Sequence, residues 1–276
     1  MSLNKIRFPA YVRFFFFMYL WGMLFFMLFR LLLLALNISS GVISFSDLSL
    51  LPISFVYGFR FDTSVSCYIL ALPFIISSLG FFFKPIRKIF FHFSFYLLLA
   101  FYFAAYFICC ADIPYFMQFS SRLSTAAFLW IGTPGFVIKM IVGTFSYWIF
   151  FVLFVLVCFR FYQVAAREKK KVVTDFESHT QLFFLKSLLF LILFAPILFL
   201  GMRGRIAEKS PMVTGTAYFS ENNFLNQLGL NGAFTFISSA AEDLENGNQH
   251  MSLMDDEMAV ENARKYLKID SEYDSP

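Results

Sequence analysis

Long apolar runs separated by short polar stretches dominate the first 201 residues. Phe14 to Leu36 is 23 residues without a break except Arg30. At 1.5 Å per residue it predicts a helix of about 34 Å, enough to cross a hydrocarbon core of about 30 Å. It is longer than the apolar stretch of a secretory signal, and no small-residue cleavage site follows. Four more runs predict four more spans: Thr63–Phe83, Ile89–Cys110, Phe136–Phe161 and Leu182–Gly201. Asp47–Phe61, interrupted by Pro52, reads as an interfacial segment ahead of the second span. Ala111–Gly135 is too polar and too rich in Pro and Gly to cross. Its Phe116, Phe119, Leu123, Phe128 and Trp130 suit a helix lying at headgroup level on the outer side.

The pattern changes after Gly201. Met202–Pro276 carries 12 acidic and 6 basic residues. Short helices are expected there. One is capped by Ser220, runs to Leu228 and ends at Gly229. Asn231-Gly232 marks a turn. A later helix opens on Asp255, Asp256 and Glu257 after Ser252 and closes on Arg264, Lys265 and Lys268, which suits the helix dipole. The tail's apolar residues, among them Phe219, Phe224, Leu225, Leu228, Leu230 and Phe234, are too many for a free peptide. They are expected to pack on the membrane face or on another domain.

Composition agrees with the pattern. Hydrophobic residues make up 59% of the chain and charged ones 14%, and there are 43 phenylalanines. Soluble domains carry roughly 25% charged residues, so a soluble enzyme, a disordered chain and a nucleic-acid-binding module are all excluded. Charge placement gives the orientation. With the N-terminus in the cytoplasm, Lys5, Arg7 and Arg13, then Lys84, Arg87 and Lys88, then Arg160, Arg167, Lys169, Lys170, Lys171 and Lys186 all fall on the cytoplasmic side. The short outer connections hold only Arg60 and Arg122. This is the positive-inside pattern, and five spans then put the C-terminus outside. The expectation is an all-α integral membrane protein: a five-span domain over residues 1–201 and extracytoplasmic linker helices over 202–276.

Candidate chemistry is sparse. There is no Walker loop, GxSxG, GxGxxG or clustered metal set. Cys67, Cys109, Cys110 and Cys158 lie in or beside apolar runs and read as small hydrophobes. The informative residues are charges at membrane depth, which cost roughly 2.5–3.5 kcal/mol each and so face a cavity, a partner or headgroups. Arg30 sits about 9 Å below the outer end of the first helix. Arg60 and Asp62 flank the outer start of the second, two residues apart, so they do not face each other. Asp62 would reach Arg30 instead, leaving Arg60 to the headgroups. Asp112 follows the third span and Arg122 lies in the outer loop. All five gather near one leaflet. They make either a pocket for an anionic lipid headgroup, which guanidinium groups pair well, or a structural cluster of snorkelling side chains and interhelical ion pairs.

Tyr57-Gly58-Phe59-Arg60-Phe61-Asp62 resembles the G-x-R-F-D signature of the lipoteichoic acid synthase-like family, which includes phosphoglycerol transferases and other membrane-anchored members of the alkaline phosphatase/sulfatase superfamily. Met202-Arg203-Gly204-Arg205, Ala217-Tyr218-Phe219-Ser220 and Phe224–Asn231 are similar to its post-membrane segment. Within these, Tyr218, Ser220, Asn226, Gln227 and Asn231 are the linker-motif residues. Asp255–Leu267 resembles the helix that leads into the catalytic domain. The resemblance implies a membrane anchor and linker that places an extracytoplasmic catalytic domain near an anionic outer-leaflet phospholipid in a bacterial cytoplasmic membrane. The sequence reaches Pro276 about where that domain would open. The domain, with its threonine nucleophile and divalent metal, usually manganese, is therefore expected as a missing or separately encoded partner. No catalytic residue and no metal ligand are expected in this chain. The alternative is a small polytopic transporter or a non-catalytic assembly subunit. The absence of an internal repeat and the nearly charge-free midplane argue against it.

Overall fold

The computed structural model describes residues 10–38, 45–80, 86–127, 143–178, 183–204, 212–245 and 256–267. These residues form helices and short connections. They divide into two compact units, Met1–Ser239 and Ala240–Pro276.

The first unit is built on α1 (Ala10–Asn37), α2 (Leu51–Gly80), α3 (Arg87–Phe119), α4 (Phe145–Ser178) and α5 (Phe183–Arg203). Four helical stretches are long and apolar enough to cross a membrane: Ala10–Asn37, Asp47–Gly80, Arg87–Phe119 and Tyr147–Asp175. The chain is thus of multi-pass membrane type. The last apolar helix has a shorter qualifying stretch, Leu188–Arg203. Two small helices follow, α6 (Asn223–Leu228) and α7 (Gly232–Glu245). The second unit holds the end of α7 and α8 (Asp256–Leu267), which carries Arg264 and Lys265 in its last turn as its dipole favours.

Several boundaries differ from the sequence reading. Pro52 does not break the second element. It is the second residue of α2, where its missing N–H would have had no helical partner. Asp47 belongs to a 3-10 turn, Ser46–Leu50, that leads directly into that helix. Arg60 and Asp62 therefore lie well inside α2, not at its start. Residues 111–119 are not a separate interfacial helix. They are the last turns of α3, which continues past Pro114 and stops at Ser120, a left-handed cap with φ 53° whose N–H donates to the Phe116 carbonyl. Phe128, Trp130 and the first part of the expected fourth span, Phe136–Val142, lie outside the described residues, as does Ser252. Asn222, not Ser220, caps α6: its side-chain oxygen accepts from the N–H groups of Phe224 and Leu225. Gly229 ends that helix as expected.

Aromatic packing organises the interior. Tyr102 on α3 lies 4.7 Å from Phe161 of α4, and Tyr106 lies 5.6 Å from both Phe25 and Phe26 of α1. Phe74 of α2 meets Phe15 edge-on at 5.4 Å. Lipid offers no hydrophobic drive for helices to associate, so close fit and small residues must do the work. Gly22 is one such residue. A Cβ there would lie 2.5 Å from the Tyr102 ring and hydroxyl. Tyr102 is fully buried among Phe26, Tyr106 and Phe161, so its ring has no room to retreat. Gly22→Ala is therefore expected to cost about 1–3 kcal/mol by overpacking. A lower midpoint of thermal unfolding in detergent would show it, and an unchanged midpoint would reject the tight α1–α3 contact.

Candidate functional site: a buried charge cluster closed by the tail

Four of the five charges singled out in the sequence meet in one place. Arg30, Asp62, Asp112 and Arg122 are buried, at 4%, 1%, 1% and 9% exposure. α1 contributes Arg30, α2 Asp62, α3 Asp112, and the loop after α3 Arg122. Arg30 grips Asp62 with two parallel bonds, Nη1 to Oδ2 at 2.5 Å and Nη2 to Oδ1 at 2.9 Å. Arg122 Nη1 pairs with Asp112 Oδ2, while Asp112 Oδ1 accepts the Leu123 N–H at 2.7 Å. Two cations and two anions make the cluster neutral. That is the arrangement under which buried charges can be tolerated.

Both guanidinium groups also donate to the tail. Arg30 Nε donates to the Leu228 carbonyl at 3.0 Å and Arg122 Nε to the Gln227 carbonyl at 2.8 Å. Both arginines also reach the Leu230 carbonyl, at 3.4 Å and 2.9 Å. Asn231 completes the closure. Its Nδ2 donates to Asp62 Oδ1 at 2.7 Å, and its Oδ1 accepts from the Ala233 and Phe234 N–H groups, capping α7. The Asn-Gly turn of the sequence is thus a helix cap that also touches the ion pair. The cavity left among these groups is about 10 Å³, the room of one water at most. A phosphate headgroup has no space between the arginines in this conformation.

Two glycines let the pieces approach. A Cβ on Gly58 would overlap the Arg30 guanidinium, and one on Gly232 would stand 2.7 Å from Asp112 Oδ2. Neither was singled out in the sequence for this role, and neither were the three carbonyls. Nothing in a side-chain pattern marks a backbone oxygen as an acceptor.

The other candidates lie around the cluster. Arg60 stays apart, half-buried, with Nη2 on the Gly204 carbonyl at 3.0 Å and its guanidinium over the Tyr57 ring. Tyr57 in turn stacks on Phe219 at 5.3 Å. Asn226 knots the tail: Oδ1 accepts from Phe219 N, Ser220 N and Ser220 Oγ, and Nδ2 donates to the Ser220 carbonyl. The Gln227 side chain reaches the hydroxyl of Tyr218, which is itself exposed. Beneath the tail, Phe224, Leu225 and Leu228 pack with Leu33 and Phe116. Leu230 packs with Phe61, Met212 and Ala217. The apolar tail residues therefore cover the ends of the helices.

Among the described residues no group of three His, Cys, Asp or Glu is placed to hold a metal. Asp62 and Asp112 do not fit a divalent cation, because a guanidinium already occupies each carboxylate. No family model, no curated protein and no solved structure matches the chain.

Removing one member of a buried pair strands the other. Asp112→Asn is expected to cost about 3–5 kcal/mol, and adding Arg122→Gln should cost less than the sum of the two single changes. Arg60→Ala, which loses one bond to a carbonyl and one ring contact and leaves no buried charge stranded, should cost less, about 1 kcal/mol. Thermal unfolding of the unsubstituted chain and these four variants in one detergent measures this, with protease cleavage between 212 and 235 as a local readout. Additive losses at Asp112 and Arg122 would contradict the coupling.

Proposed function

We propose that the chain is the membrane anchor and linker module of a lipoteichoic acid synthase-like phosphoglycerol transferase or sulfatase-type enzyme. Its N-terminus lies in the cytoplasm of a bacterial cell and its tail outside the cytoplasmic membrane. α5 is the fifth span: its 21 residues measure about 31 Å. The observation that carries this reading is the docking of residues 212–235 onto the Arg30–Asp62 and Arg122–Asp112 pairs. A flexible tether would leave whatever follows free to wander. A tail locked by hydrogen bonds to buried charges makes the chain leave the membrane at a fixed point, which holds a catalytic partner close to its lipid substrate at high effective concentration. Arg60, on the rim of the docked tail, is the residue left to attract the anionic phospholipid.

Two measurements test the proposal. Alkaline phosphatase fused after Gly247 should be active, and a cytosolic reporter at the same place silent; the reverse pattern would overturn the orientation. Membranes of the source cell, given phosphatidylglycerol labelled in its headgroup, should transfer the label to acceptor. Loss of this gene should reduce that transfer at least severalfold, and transfer at the original rate without the gene would refute the enzyme assignment.

A further inference from the structure

One face of α4 changes character abruptly. Ile149, Leu156, Arg160, Gln163, Arg167, Lys171 and Thr174 recur at helical spacing and so share a face. Ile149 and Leu156 are exposed at 57% and 55%. From Arg160 onward the same face is polar, with Arg160, Arg167 and Lys171 exposed and Lys170 exposed beside them. The depth of the switch is set by neighbouring contacts. Phe161, the next residue after Arg160, packs against Tyr102 and Tyr106, midway along α3. Lys169 lies 4.3 Å from the Phe95 ring and 4.8 Å from that of Tyr96.

On α3, however, exposed apolar side chains continue much further toward the Arg87 end. Tyr96, Phe93 and Ile89 are exposed at 60%, 59% and 66%. Ile89 is 13 residues from Tyr102, about 20 Å along the helix. On this face of α4 the apolar belt therefore ends about 20 Å higher than on α3, although the two helices touch; Tyr162, on another face, is exposed at 47%. Tilting the bundle does not remove a step between adjacent helices. Bare cations on the α4 side at this depth would cost several kcal/mol against lipid tails. Arg160 is bonded only weakly, to Gln163 Oε1 at 3.3 Å. Lys171 shares Glu168 at 2.5 Å. Among the described residues Arg160, Arg167 and Lys170 meet no carboxylate.

We propose that this stripe is a binding site for an anionic phospholipid of the leaflet on the Arg87 side. Its phosphate is drawn inward onto Arg160 and Arg167, and its acyl chains lie along Leu156, Val152 and Ile149. A lipid is the occupant that the surface itself describes, since cations and an exposed apolar track follow each other on one face, in the order of headgroup and tail. A second copy of this chain would bring like charge to like. The site rests only on the chain spanning a membrane and is independent of the enzyme assignment.

The test uses the full chain in vesicles, with Leu156→Trp as a reporter on an exposed position and the unsubstituted chain as background. Phosphatidylglycerol with brominated acyl chains should quench the added indole in preference to brominated phosphatidylcholine, with an affinity ratio of about fivefold, the effect of about 1 kcal/mol from a single cation near the surface. Adding R160Q and R167Q should bring the ratio to one while R264Q, at an exposed position of α8, leaves it unchanged. If the glutamine pair does not fold, R160K with R167K should retain the preference, because the charge remains. Equal quenching by both lipids in the reporter protein would overturn the site. So would a preference that survives the loss of both arginines in folded protein, or one abolished by inorganic phosphate at physiological concentration, which would identify a free anion as the ligand.

Discussion

The Leu230 carbonyl lies between two buried guanidinium groups, and the packing at that end of the molecule follows from it. Arg30 and Arg122 each have one carboxylate partner on a neighbouring helix or turn. A guanidinium carries five donors in a fixed fork, so one carboxylate cannot satisfy it. Part of the balance is met by three carbonyls in the tail, at positions 227, 228 and 230. In water such donors would find solvent. Beside a membrane interior they have only protein, and an unmet bond there is expensive. The tail is thus held by what the helices would otherwise lack.

This explains why residues polar in the sequence are buried in the fold. Asn231 is 4% exposed because it serves two masters, Asp62 and the first turn of α7. Asn226 is equally buried because it ties the loop at Phe219 and Ser220 to its own helix. Asn222 caps α6 and also donates to Asp47 Oδ2 at 2.7 Å, reaching the turn that opens α2. Ser54 of α2 donates to the Leu225 carbonyl. The Ser54–Leu225, Asp47–Asn222 and Asp62–Asn231 bonds each cross more than 160 residues of chain. The linker-like stretch of the sequence is therefore a structural part of the helical unit up to Ser239.

The two ends of the bundle solve the charge problem differently. At the tail-covered end, cations are buried, paired and fixed. Along the lower half of α4 they stay at the surface at a depth where α3 shows phenylalanine to its surroundings, and only Lys169 finds cover, between the rings of Phe95 and Tyr96. Cation–π contact accepts a charge without a counter-ion; the arginines on the exposed face have no such arrangement.

The apolar runs alone determined that the chain is helical and of membrane type, because a long stretch without polar side chains has few other solvents. They also put Arg30, Arg60, Asp62, Asp112 and Arg122 near one leaflet, since the positions of the apolar runs convert sequence position into depth. Only the tertiary structure decided which charges meet. Arg60 and Asp62 are two residues apart yet point to different partners, and Arg122 reached its place through the fold of a loop. The carbonyl acceptors, the glycines that clear space for them, the continuation of α3 through Pro114 and the start of α2 at Leu51 were equally hidden. They depend on contacts between residues distant in sequence, and periodicity reports only on the neighbours along one helix.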